Sequence, residues 1–183
     1  MIIDGYSHCG ISKFLPLESV LEVTEKAGVD RVLLCQHLEE YDNTYLANVV
    51  SRYPGRFAAT CLVDPEKPDA IEELRRWRAT GCFRGLRILA KTLESNQELC
   101  LEAIRLNMNL VIYAPEGITR SLPSLRRLLN QRSDGTIIIS HLGDPQIKGN
   151  QLISGRELLE LASEPSIYVL LSGLSMFCDY PYK

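Results

Sequence analysis

Apolar positions along the chain fall into short strand-like runs separated by longer amphipathic stretches. The runs begin near Met1, Arg31, Phe57, Phe83, Asn109, Thr136 and Ile167, at intervals of 26 to 31 residues. Strand-length and helix-length segments alternating at this spacing predict βα units and a parallel sheet. Runs such as Val32-Leu33-Leu34-Cys35 and Ile137-Ile138-Ile139 are nearly continuous, which suits strands covered by helices on both faces. A period of about 27 residues is close to the roughly 30 per unit of an eightfold barrel. The pattern therefore predicts an α/β fold: a TIM-type (β/α) barrel with seven of eight βα units visible, as a single domain over residues 1–183. An open doubly wound sheet is the structural alternative. It is disfavoured because no G-x-G-x-x-G follows the first strand.

The stretches between strands carry helix signals. Asp69 with Glu72, Ser95 with Glu98 and Ser154 with Glu157 have capping-box spacing. Leu99, Ala103 and Leu106 predict an apolar helix face, with Glu98, Glu102 and Arg105 outward. Glu72 and Arg76 are placed for an i,i+4 ion pair. Ala27-Gly28 is a helix stop.

The candidate chemistry begins in the first strand. Asp4, Tyr6 and His8 share one side of an extended chain, because side chains alternate with period 2. His8 falls at the strand's carboxyl end, where barrel enzymes keep their catalytic groups. The other two histidines, His37 and His141, also fall at or just past predicted carboxyl ends, and His141 shares strand parity with Ile137 and Ile139. His8 and His141 are thus expected at one rim of the sheet. Arg87 and Tyr113 approach the same ends: Arg binds carboxylates bidentately and Tyr donates a hydrogen bond. A catalytic zinc would need three protein ligands. His8 is the candidate metal ligand, His141 a second, and the third would come from His37, Cys35, Cys9 or Asp144, none at diagnostic spacing. Ser172-Gly173 has no partner base in the sequence and is read as a close-packing feature.

Composition narrows the classes. A net charge of −3 and no basic stripe give no reason to expect nucleic acid. No run approaches the roughly 20 apolar residues of a membrane span. The first apolar run is short and broken by Asp4, so it is not read as a signal peptide. The six cysteines lack any C-x-x-C pair, and are expected to be buried free thiols of a cytoplasmic protein.

Motifs in fixed order complete the picture: Ile2-Ile3-Asp4 with His8, Asp42-Asn43 with Tyr45-Leu46, and Arg52-Tyr53-Pro54-Gly55-Arg56-Phe57. They continue in Leu62-Val63-Asp64-Pro65, Arg84-Gly85-Leu86-Arg87, His141-Leu142-Gly143 and Leu171-Ser172-Gly173. In these the chain resembles the amidohydrolase-related, metal-dependent hydrolases of the TIM-barrel class. The resembling branch includes 2-pyrone-4,6-dicarboxylate lactonase-like and aminocarboxymuconate-semialdehyde decarboxylase-like enzymes. The resemblance implies a hydrolase acting on a small carboxylate-bearing lactone, ester or amide, or a decarboxylase, with zinc or manganese as the family's metal. The departures are specific. The family's Asp-x-His-x-His has Tyr6 in place of its first histidine, Tyr113 stands where a fifth-strand histidine often does, and the eighth-strand aspartate is not reached. These substitutions argue against an ordinary zinc site. They favour acid–base chemistry by His8 and His141, oxyanion donation by Tyr6 and Tyr113, and substrate binding by Arg87 and His37. The reading from another class is a degenerate barrel that binds a ligand or forms a homo-oligomer through its open edge.

Overall fold

The computed structural model describes residues 1–131, 135–149 and 151–177. The chain packs as two compact units, Met1–Arg87 and Ile88–Lys183.

In the first unit strands and helices alternate as the hydrophobic pattern predicts. The order is β1 (Ile3–Ser7), α1 (Leu17–Lys26), β2 (Arg31–Cys35), α2 (Thr44–Arg52), β3 (Phe57–Cys61), α3 (Ala70–Ala79) and β4 (Phe83–Leu89). Each strand pairs in parallel with the next. Leu34, Leu46, Leu74, Phe83 and Leu86 are among its fully buried side chains, which come from both strand and helix faces. The stop at the end of α1 is as read: Ala27 caps the helix and Gly28 follows with φ 67°, a conformation glycine adopts without steric cost.

The second unit begins inside β4, whose last two residues belong to it. Here Ala90 N–H donates to the Tyr113 carbonyl at 2.8 Å. The unit continues with α4 (Thr92–Ser95), α5 (Gln97–Arg105), β5 (Asn109–Tyr113), α6 (Leu122–Gln131) and β6 (Ile137–Ile139). A hairpin of β7 (Gln146–Lys148) and β8 (Gln151–Ser154) precedes β9 (Ile167–Val169). β5, β6 and β9 are parallel, with Ile112 opposite Ile139 and Ile139 opposite Val169. Leu99, Leu110, Ile112, Ile118 and Leu125 fill its core.

Seven strands thus belong to the predicted series, and five of them start at the expected residue. The antiparallel hairpin was not expected. Its strands are exposed along nearly their whole length, so they lack the apolar run that marks a buried strand. Other local expectations change. Asp69 makes no side-chain cap on α3, and its carboxylate instead lies 3.5 Å from Arg76. Glu72 pairs with Arg75 at 3.9 Å rather than with Arg76. The cap of α5 is Asn96, which accepts from Leu99 N–H at 3.1 Å, and not Ser95, which closes α4. Ser154 ends β8, while Glu157 accepts from Gly155 N–H at 2.9 Å. Glu102 does not face outward: it is buried and lies 3.4 Å from Arg105.

Cys9, Cys35, Cys61, Cys82 and Cys100 are buried free thiols, as expected; Cys178 lies outside the described residues. No helix among the described residues is long and apolar enough to cross a membrane.

Candidate active site

Each unit carries one of the expected Tyr–His combinations at a strand's carboxyl end. In the first, the register between β1 and β2 slips by one residue between Asp4 and Ser7, so β1 holds a bulge. The strict alternation of Asp4, Tyr6 and His8 is therefore interrupted, as a bulge re-aims the side chains that follow it. Tyr6 N–H donates to Asp4 Oδ1 at 3.0 Å. The rings of Tyr6 and His8 meet edge to face, 5.2 Å between centroids and 82° between planes. His8 lies just past β1, and its Nδ1 is 2.7 Å from the Cys35 carbonyl. A carbonyl only accepts, so Nδ1 donates, and in the neutral ring the lone pair is on Nε2. Phe14 stacks on His8 at 4.3 Å, and His37 lies 5.4 Å from the other partner of that stack, Phe14.

His37 and Arg87 sit deeper. His37 is buried, receives no help from spacing, and has Nδ1 3.1 Å from the Leu38 carbonyl. A cavity of about 100 Å3 beside it is lined by Cys9, Gln36, His37, Asp42 and Tyr45, among others. Arg87 is 4% exposed. Its Nη1 donates to the Gln36 carbonyl at 2.5 Å, and the guanidinium carbon lies 5.6 Å from the Tyr6 ring centre. A cation against that ring's face is attracted by its quadrupole and makes the phenol a better hydrogen-bond donor.

In the second unit Tyr113 ends β5 and His141 follows β6 after Ser140. Their rings also meet edge to face, at 5.4 Å and 88°. His141 does not keep the strand parity read from Ile137 and Ile139. β6 stops at Ile139 and His141 has φ 53°. Its amide donates to Ser172 Oγ at 3.1 Å, and the same oxygen is 3.0 Å from its Nδ1. Ser172 therefore does have a partner base, which the sequence did not show, while the close packing read for this pair is seen at Gly173, where a Cβ would stand 2.6 Å from His141 Nδ1. Asp144, three residues on, is buried, and desolvation raises its pKa above the ordinary carboxylate value. A cleft of about 360 Å3 past the ends of β4 and β5 is bordered by Lys91, Glu94, Glu116 and Arg120.

The family model described as Amidohydrolase matches residues 13–182. The chain belongs to the amidohydrolase family. A solved probable 2-pyrone-4,6-dicarboxylic acid hydrolase from Acinetobacter baumannii, with citric acid bound, is 19% identical and has a TM-score of 0.78. The likeness covers 98% of this chain and 73% of that one. An amidohydrolase from Burkholderia multivorans with bound zinc is 17% identical, with a TM-score of 0.75 over 98% of this chain and 72% of its own. No curated protein matches. At these identities the likenesses show the fold: α/β and TIM-type, with seven of that barrel's strands in this chain.

Amidohydrolases are often metal-dependent, so the donor set matters. A catalytic zinc takes three protein ligands. Among the described residues no group of three His, Cys, Asp or Glu is placed to hold a metal. His8 presents Nε2 in the sense a ligand needs, but it is one donor. Burial pushes the Cys35 thiol up to about 11 and also raises Cys9. The described residues do not fit the zinc set. Sequence reading missed Phe14, Gln36 and Ser172. Of these only Ser172 left a signal, its place beside a glycine at a strand's carboxyl end.

Proposed function

We propose that this amidohydrolase hydrolyses a small carboxylate-bearing lactone, ester or amide by acid–base chemistry of protein side chains. The observation that carries the reading is the pair of Tyr–His edge contacts, one in each unit, at strand carboxyl ends. His8, with its Nε2 lone pair, takes a proton from the attacking water. Tyr6, with Arg87 against its ring, donates to the oxygen on which charge develops. In the second unit Tyr113 and His141 form an edge contact of the same kind. Citric acid bound by the Acinetobacter relative supports a substrate rich in carboxylates.

The test is a panel of lactones, esters and amides, each with and without a free carboxylate, assayed with and without added zinc. Turnover is expected, with His8→Ala lowering kcat/KM by about 100-fold or more, the usual worth of a positioned general base. Absence of turnover across the panel, or an active His8→Ala variant, ends the reading.

A second reading, a ligand-binding or self-associating barrel, is favoured by the exposed Ile2 and Ile3 on the β1 side and by Tyr168, Val169 and Leu171 at β9. β1 and β9 are the terminal strands in the order of their sheet, and such edges invite pairing with another chain. Solution mass decides it: a monomer at micromolar concentration removes the self-associating form.

A further inference from the structure

The chain leaves β6 through a run of positive φ: His141 53°, Leu142 53°, Gly143 71° and Asp144 56°. Non-glycine residues hold such angles only where their surroundings enforce them, and they concentrate at functional sites. The enforcing contacts come from the segment after β9. Leu142 N–H donates to the Leu170 carbonyl at 3.1 Å, and Leu170 N–H to the Ile139 carbonyl at 2.9 Å. Two residues on, Ser172 Oγ meets both the His141 amide and Nδ1. Gly173 then turns with φ 67°, and a Cβ there would stand 2.6 Å from His141 Nδ1. The ring occupies space that only glycine leaves.

Donor and acceptor accounting favours one position for the proton. The His141 amide can only donate, so it uses a lone pair of Ser172 Oγ. Among the described residues, the acceptor placed for the hydroxyl's own proton is Nδ1. Nδ1 is then an acceptor, and the neutral ring carries its hydrogen on Nε2. We infer that Ser172 and Gly173 clasp His141 as its Nε2–H tautomer, making it a hydrogen-bond donor there rather than a base or a metal ligand. His8 is set in the opposite sense by the Cys35 carbonyl. One histidine offers a lone pair and the other a proton. Ser172 touches no reacting atom; it is a positioning residue. The consequence for substrate, a donor aimed at a carbonyl or carboxylate oxygen, rests on the proposed hydrolase function.

The test reads the proton itself. Protein labelled with 15N-histidine is examined by long-range 1H–15N correlation at mildly alkaline pH, where imidazole is neutral. The three histidines are assigned by loss of signals in His8→Gln, His37→Gln and His141→Gln. The expected His141 pattern is a pyridine-like Nδ1 with a protonated Nε2. Ser172→Ala shifts it toward the mixture of free imidazole, and Ser172→Thr, which keeps the hydroxyl, restores it. An Nδ1–H pattern in the wild type, or a Ser172→Ala spectrum identical to the wild type, overturns the inference. If Ser172→Ala does not fold, the wild-type and Ser172→Thr spectra still decide. A chain inactive on the substrate panel but with the Nε2–H pattern supports the clasp and sinks the hydrolase. An active chain with the Nδ1–H pattern overturns the clasp and keeps it.

Discussion

At the scale of single residues, the side chains that position the site are those whose polar atoms are fully committed. Asn43 is the clearest structural case. It is wholly buried; Nδ2 donates to the Leu62 and Tyr41 carbonyls at 2.9 and 3.1 Å, and Oδ1 accepts from Leu62 N–H at 2.9 Å. It ties the loop before α2 to the residue that follows β3. Truncation leaves buried backbone groups without partners, each worth about 1–3 kcal/mol. Asn43→Ala is therefore expected to lose about 3 kcal/mol in urea unfolding, and a loss below about 1 kcal/mol would contradict the bonding scheme. Asn43 was visible in the sequence only as part of a family motif; its bonding was not, because Leu62 is 19 residues away. His8 and His141 were legible because a polar ring ending an apolar run is conspicuous. Ser172 was not legible as a partner of His141, since 31 residues and a left-handed turn separate them.

At the scale of elements, periodicity located strands and helices while short-range capping rules misplaced their ends. The junction of α4 and α5 shows why. Ser95 and Asn96 are adjacent, both are competent caps, and the spacing to Glu98 selected Ser95. In the folded chain Ser95 is still helical, the last residue of α4, while Asn96 has φ −148° and ψ 67°. Only a non-helical residue can turn its side chain back onto the first free amides, so Asn96 takes the role. Asn96→Ala is expected to cost about 1 kcal/mol and the exposed Ser95→Ala only a few tenths. Reversal of that order in thermal melts would restore the capping box read from sequence. The bulge in β1 escaped for a related reason. Period-2 alternation has no term for an extra residue, and nothing in Asp4-Gly5-Tyr6 beyond the glycine marks one.

At the scale of the whole molecule, the strand spacing carried the fold because each βα unit must bury its own apolar face, and that requirement repeats. The hairpin of β7 and β8 escaped because it buries little. The same burial governs the thiols, and through them the response to alkali. Desolvation pushes Cys35 from 9.0 to about 11, and Cys61 and Cys100 from 9.0 to about 12. In the unfolded chain these groups ionise near 9.0, while in the folded chain they stay protonated. Above that pH the native state binds more protons than the unfolded state, so stability falls as pH rises. The contribution is intact below pH 9.0, declines above it, and is lost as pH passes the folded values of about 11 and 12. Each thiol contributes a slope of up to about 1.4 kcal/mol per pH unit within its window. Urea midpoints measured across this range should therefore fall steeply, and a Cys61→Ala, Cys100→Ala double variant, less stable at neutral pH for its lost packing, should show the shallower decline. Equal slopes in the two proteins would mean that other groups carry the alkaline transition and that these sulfurs reach water before the core opens.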